Sequence, residues 1–529
     1  MAARPPRLRP HDVRAMLADG RELALLDVRE ELIFSRGHLL HARSLPASQL
    51  ELRIARLVPR RSTRIVLCDD ADGLADRAAD TLGRFGYANL SVLDGGIAAW
   101  TAAGFELFSG INVPSKAFGE FVEHADATPS IGPEELERLL RERADIVVLD
   151  SRPFDEYARM SIPTGIDVPG AELVLRVRDL APSPDTAIVV NCAGRTRSII
   201  GAQSLINAGV PNKVVALRNG TMGWNLAGLT CDSGRDRRAP AVSQAGLAWA
   251  RSAAARVVER FAIARIDGAT LAQWRDDPQR SLYLFDVRDP AEYAAGHVAG
   301  SVSAPGGQLV QATDHYVGTL NARIVLVDDK EVRAVMTASW LRQMGFRDVA
   351  VLAEAGEVTG WPADPVLGLA PRPELAIDPV GLGELLGRDA ASVIDLSLSR
   401  DYRRGHVPGA WFAIRSRLRQ GLAKIPVREI FVLTSEDGIL ANLAAPELAA
   451  LTDRPVRYLD GGNAAWQAAG RPLTPDDARM ADEPIDVWLR PYERAGVVAA
   501  AMQEYLSWET DLPARIDRDG TADFMRFRR

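Results

Sequence analysis

The sequence predicts four α/β domains, each a mainly parallel sheet with helices on both faces. Three observations predict it. One pattern of residues recurs four times along the 529-residue chain. Within each copy, short apolar runs alternate with helical stretches, the signature of parallel strands joined by crossover helices. The runs also lack a polar alternate, as strands covered on both faces do.

The elements follow in the same order in every copy. First comes an apolar run ending in aspartate: LALLD to Asp27, IVVLD to Asp150, LYLFD to Asp286 and SVID to Asp395. In the first three an arginine stands two residues on, at Arg29, Arg152 and Arg288. A turn then falls at Gly37-His38, Gly296-His297 and Gly405-His406, with Ser161-Ile162-Pro163 in the second copy. A second apolar run follows (RIVLCDD, AIVVNCAG, RIVLVDD, EIFVLTS), and then a helical pattern. A last short strand enters a turn and reaches a tryptophan, at Trp100, Trp224, Trp361 and Trp466. The boundaries drawn from these elements are 6–110, 128–231, 263–368 and 373–475. INVPSKAFGEFVEHADA links the first two copies, and AVSQAGLAWARSAAARVVERF reads as a helix between the second and third. Residues 476–529 form a C-terminal tail with a helix over Tyr492 to Trp508, expected as a strap packed on the fourth copy.

Composition narrows the function classes. The chain has 63 basic and 70 acidic residues, a net charge of −7, so it lacks the basic footprint of a dedicated nucleic-acid binder. No run of about 18 apolar residues offers a membrane span. The first residues carry charge without an apolar core, unlike a secretory signal. Three cysteines, Cys68, Cys192 and Cys231, are too few for a disulfide scaffold or a four-thiolate zinc site. No metal and no cofactor is expected, and a reducing cytoplasmic location is.

The Asp-Val-Arg run, the Gly-His turn, the cysteine loop after the second run and the Asp-Gly-Gly…Trp ending, in that order, resemble the rhodanese homology domain. The resemblance covers nearly the whole chain, four times over. It implies small doubly wound α/β domains and sulfane-sulfur transfer through a cysteine persulfide. It also implies that some copies are catalytically dead and serve as partners or scaffolds. The family's nucleophile falls on Cys192 in the second copy, on Asp69 in the first, on Asp328 in the third and on Thr434 in the fourth. Cys68 lies one residue early and, by strand alternation, points into a layer beside the sheet. Cys231 reads as a bystander near a linker.

The candidate site is therefore Cys192-Ala193-Gly194-Arg195-Thr196-Arg197-Ser198, where a strand ends, a loop turns and a helix starts. Backbone N–H groups in such a loop converge on an anion and favour thiolate over thiol. Gly194 permits a backbone angle that other residues resist. Arg195 and Arg197 supply forked donors for an anionic substrate, and Arg197 matches the family's loop-closing residue. Thr196 and Ser198 add hydroxyl donors, Ser198 alternatively serving as a helix cap. The other loops carry Asp69, Asp70 and Asp72; Asp328, Asp329 and Glu331; and Ser435, Glu436 and Asp437. They are expected to repel an anion and to be inactive. The Gly-His pairs read as turns, and no histidine lies between His124 and His297 to serve Cys192.

These residues point to a sulfurtransferase. The expected donor is a small anion, thiosulfate first and 3-mercaptopyruvate second; the acceptor is cyanide, a thiol or a protein sulfur acceptor. Two alternatives stay open. A cysteine-dependent phosphatase or arsenate reductase needs a similar cradle, but those phosphatases place five residues between Cys and Arg, and here there are four. A docking scaffold for a sulfur carrier, or a homo-oligomer, would use the inactive copies. Copies one and two read as one tandem pair and copies three and four as a second, with the first copy a candidate wall for the pocket.

Overall fold

The computed structural model of the chain describes residues 4–353, 358–359, 366–494 and 496–527. Each repeat folds as an α/β unit around parallel strands. In the second repeat the spatial order is Ser130–Ile131, Val214–Leu217, Ala187–Asn191, Ile146–Asp150, Ile166–Asp167, all parallel. The third and fourth repeats keep this order. The first does too, and adds one antiparallel strand, Thr319–Leu320, lent by the third repeat to the edge of Leu23–Asp27. The central runs are buried almost throughout, which is why they read as unbroken apolar stretches.

Strand register places the loop residues. Asp27 pairs with Cys68, Asp150 with Asn191, Asp286 with Val327 and Asp395 with Thr434. The position after each strand is thus Asp69, Cys192, Asp328 and Ser435. The fourth repeat is corrected by one residue: Thr434 matches Asn191, and Ser435 matches Cys192. Close packing agrees. Gly96, Gly220 and Gly462 have positive φ, and a Cβ on each would strike the carbonyl oxygen of Asp69, Cys192 and Ser435 respectively.

The other recurring residues are staples. Arg29, Arg152 and Arg288 donate to the strand-end aspartates at 2.6–2.7 Å and to a carbonyl eight residues on. In the fourth repeat Asn463 Nδ2 bonds Asp395 instead, at 2.7 Å. His38, His297 and His406 are buried and stack on Phe34, Tyr293 and Tyr402 at 3.8–3.9 Å. Trp100, Trp224 and Trp466 each donate Nε1 to a carbonyl six residues on. Trp361 lies outside the described residues.

The repeats do not pair in chain order. The second and third share one core, from Leu173 and Leu205 to Leu326 and Trp340. Trp340 Nε1 donates to Ser204 Oγ at 2.8 Å, and the linking helix Gln244–Phe261 packs on Leu173–Leu180 and Val332–Gln343. The first repeat meets the fourth through the buried Arg415–Glu51 pair at 2.7 Å and the bond from Ser416 Oγ to Glu30 at 2.7 Å. The tail is corrected as well. Its helix runs Val498–Asp519, with Tyr492 in a preceding turn. The helix packs on the linker helix Val113–Asp126 and on Gly220–Leu226, while the stretch before it lies on the fourth repeat, with Ala481 and Ile485 in its apolar clusters and Asp482 accepting from the Ile414 N–H at 2.9 Å. No helix among the described residues is long and apolar enough to cross a membrane.

Candidate active site

Strand Ala187–Asn191 delivers Cys192 to the mouth of the second repeat, and helix Thr196–Asn207 starts four residues later. The loop is held from behind: Thr221 N–H donates to the Cys192 carbonyl at 2.9 Å and Met222 N–H to that of Ala193 at 3.0 Å. Cys192 is 2% exposed, and its Sγ lies 3.5 Å from Ser198 Oγ. Ser198 donates in turn to the Arg195 carbonyl at 2.8 Å, so its hydroxyl is free to accept from the thiol. It sits inside the helix and is not the cap; Arg195 holds that position.

A cavity of about 130 Å³ opens over the loop. Its walls come from three distant parts of the chain. The linker supplies Asn112 and Lys116, the third repeat Gln308 and Gln311, and the tail Trp488, Arg490, Tyr492 and Tyr505. The first repeat itself is not the wall. The charged lining residues are Lys116, Arg195, Arg197 and Arg490 against one carboxylate, Glu156. Such a cavity favours a small anion.

The cations differ in how far they are committed. Arg195 turns to the linker helix: it forks onto Glu120 at 2.6 and 2.8 Å, touches Glu123 and reaches Asn219 Oδ1 at 3.2 Å. Lys116 Nζ lies 2.8 Å from Glu509. Arg197 and Arg490 share a single carboxylate. Arg197 meets Glu156 at 2.8 and 3.2 Å and Gln308 Oε1 at 3.3 Å. Arg490 lies 3.2 Å from Glu156 and donates to Tyr492 Oη at 3.0 Å. Burial pushes the Glu156 carboxyl up, but Arg197, with Arg490 and Arg152, outweighs it and holds it down at about 2. Burial opposes the Arg197 charge; Glu156 and then Cys192 favour it, and the net shift is upward.

Thr196 is buried, with its hydroxyl 3.4 Å from Glu509. Gly194 has no positive φ, so it is corrected: what it supplies is room. A Cβ there would come within 3.1 Å of Glu509 Oε2 and 3.6 Å of the Tyr505 ring. Ala193 is buried against Met222, Met502 and Leu506.

The model of the rhodanese-like domain matches residues 9–103, 132–227, 267–361 and 379–469. The chain belongs to the rhodanese family. Over 99% of its length it superposes on all of a thiosulfate sulfurtransferase from Pseudomonas aeruginosa, with a TM-score of 0.95 and 50% identity. A segment of 94 residues, 18% of the chain, is 34% identical to an HTH-type transcriptional regulator of Mycobacterium tuberculosis; it spans 41% of that relative.

Within the rhodanese repeats, the acidic loops of the first and third do not lack an anion cradle; they fill it. Asp69 accepts from the N–H groups of Ala71 at 3.0 Å and Ala75 at 2.9 Å. Asp328 accepts from those of Lys330 at 3.2 Å and Arg333 at 2.8 Å. The expectation of plain repulsion is thereby corrected: a carboxylate of the chain sits where an external anion would. Cys68 is fully buried among apolar side chains, and burial pushes its thiol well up. Cys231 packs near Trp224, away from the cavity, and burial pushes it to about 11. No group of His, Cys, Asp and Glu able to hold a metal occurs among the described residues.

Sequence reasoning missed Glu156, Gln308, Arg490, Tyr492 and Tyr505. Glu156 had a signal: a glutamate six residues past the strand-end aspartate recurs at Glu292. The tail residues had none, because nothing local to residues 488–505 says where they dock.

Proposed function

We propose that this rhodanese is a sulfurtransferase with its one active centre at Cys192. The observation that carries the reading is that Cys192, alone of the three cysteines, lines a cavity rich in cations. The Cys192 thiolate attacks the outer sulfur of an anionic donor, thiosulfate first and 3-mercaptopyruvate second. The S–S or C–S bond to that sulfur breaks, sulfite or pyruvate leaves, and a persulfide remains on Cys192. Cyanide or a thiol then takes the sulfur.

Arg197 and Arg490 hold the donor's oxyanion, since together they have only one carboxylate partner among the described residues. The N–H groups of Gly194 and Ser198 stand at the positions that cradle the Asp69 carboxylate in the first repeat, and they serve the reacting sulfur here. Arg195, clamped by two glutamates, positions the loop rather than the donor.

The test is the intact mass of the protein after incubation with thiosulfate and, separately, with mercaptopyruvate. A gain of one sulfur on the Cys192 peptide is expected, with the thiosulfate reaction the faster. No gain with either overturns the reading, and phosphate release from an aryl phosphate that depends on Cys192 would replace it with a phosphatase.

A further inference from the structure

The Cys192 cavity has a larger neighbour. On the other side of Trp488 and Tyr505 lies a second cavity of about 610 Å³. These two side chains line both spaces, with ring centroids 6.3 Å apart. The second cavity is built where three parts of the chain meet: helix Glu31–Arg36 of the first repeat, helix Ser399–Arg404 of the fourth, and the tail.

Its charge is one-sided. Arg36, Arg400, Arg403 and Arg494 face a single acid, Glu504. Arg36 and Arg494 have no carboxylate partner among the described residues; Arg494 donates to the Leu489 carbonyl at 3.0 Å and lies over the Trp488 ring at 5.5 Å. Among the described residues Arg400 and Arg403 meet acids only at 3.5 Å, and both stay exposed. Trp508 adds another aromatic face, 5.3 Å from Tyr505.

We propose that this second cavity is the acceptor site, and that it takes a peptide-sized thiol bearing carboxylates. The inference rests on the sulfurtransferase reading. At about 130 Å³ the space over Cys192 suits a compact oxyanion and is too small for a peptide. Ligand sites for larger molecules run from about 300 to 1,000 Å³, the range in which the second cavity falls. Forked guanidinium groups match carboxylates, and aromatic faces cover the apolar parts of a short peptide. The thiol enters past Trp488 and Tyr505. Its thiolate attacks the outer sulfur of the Cys192 persulfide; a new S–S bond forms, the old one breaks, and Cys192 leaves as thiolate. No oxidant or reductant is required.

The test uses the full chain and the double variant R36E/R400E, with glutathione as the carboxylate-bearing thiol and cyanide as the small acceptor. The ratio of kcat/KM for glutathione to that for cyanide should fall by about tenfold or more, as expected for two lost charge-assisted contacts. Binding of unreactive S-methylglutathione, read by tryptophan fluorescence, should weaken by a similar factor and fall with added salt. An unchanged ratio, or equal binding of S-methylglutathione to both proteins, overturns the proposal. If no persulfide forms at all, the sulfurtransferase reading fails, and the S-methylglutathione measurement still decides whether this cavity binds its ligand.

Discussion

The loops of the second and third repeats carry the same skeleton and opposite chemistry. Arg197 and Arg333 each stand five residues after the key position, which is Cys192 in one and Asp328 in the other. Each meets a glutamate of its own repeat, Glu156 or Glu292. Each also reaches across to the other repeat at a matching point, Gln308 or Glu172. Gly170 and Gly307 meet between the two, so close that a Cβ on Gly307 would sit 3.0 Å from the Gly170 nitrogen. The difference is the number of carboxylates. Arg333 is fully buried and contacts Glu172, Glu292, Asp328 and Asp329. Arg197 has one carboxylate and one amide, and it faces a cavity. An arginine saturated by carboxylates joins two domains, whereas one left short of them can bind a substrate.

The largest expected effect tests whether chemistry is confined to one loop. Cys192→Ser should lower sulfur transfer at least ~10³-fold, as loss of a nucleophile does. Asp328→Cys in that background should take up no sulfur, since Arg333 is enclosed; sulfur found on the peptide that carries the new thiol would break the comparison. Next, Arg333→Leu should destabilise the protein by about 3–5 kcal/mol in a denaturant titration, because it leaves buried carboxylates without their cation. A loss below about 1 kcal/mol would remove Arg333 from its joining role.

Glu156→Gln separates the two loops by pH. The folded carboxyl is held at about 2 against an ordinary 4.5. Its stabilisation is therefore complete above 4.5 and lost as pH falls toward 2, and it amounts to at most about 3 kcal/mol. The variant should be weaker than the parent at pH 7, with the gap closing between pH 4.5 and 2; a gap independent of pH would contradict the pairing. The smallest effect is that of Arg490→Ala. It should raise KM for thiosulfate about tenfold with a smaller change in kcat, the loss of one charge-assisted contact. An unchanged KM would take the tail out of donor binding.

Much of this was legible in the sequence because it is local and repeated. The buried runs, the Asp-to-Arg staples and the strand-end position of Cys192 all lie within one repeat, and four copies reinforce each other. Cys68 was legible for the same reason, since one residue of strand phase sends its side chain into the core. Thr434 was misplaced because the strand's first paired residue, Ile430, is apolar where Arg64 and Arg323 stand in the first and third repeats, which shifts an alignment of apolar runs by one; only the pairing of Thr434 with Asp395 fixes Ser435. The partner of Arg195, and the one Arg197 finds in another repeat, were illegible. Charge alone said that both could bind an anion, but what already occupies them depends in part on Glu120 from the linker and on Gln308, an amide, from another repeat. The tail was illegible for the same physical reason: a docked helix leaves its amphipathic pattern in the chain but not the address of its partner.

The placement of Arg490 beside Glu156 has a consequence for timing. A ribosome that has made Cys192 must add 298 more residues before Arg490 exists. At about 5–20 residues per second that takes roughly 15–60 s. Throughout that interval Cys192 exists while Trp488, Arg490 and Tyr492, one side of its cavity, are still missing. A chain arrested in that window would lack one wall of the Cys192 cavity.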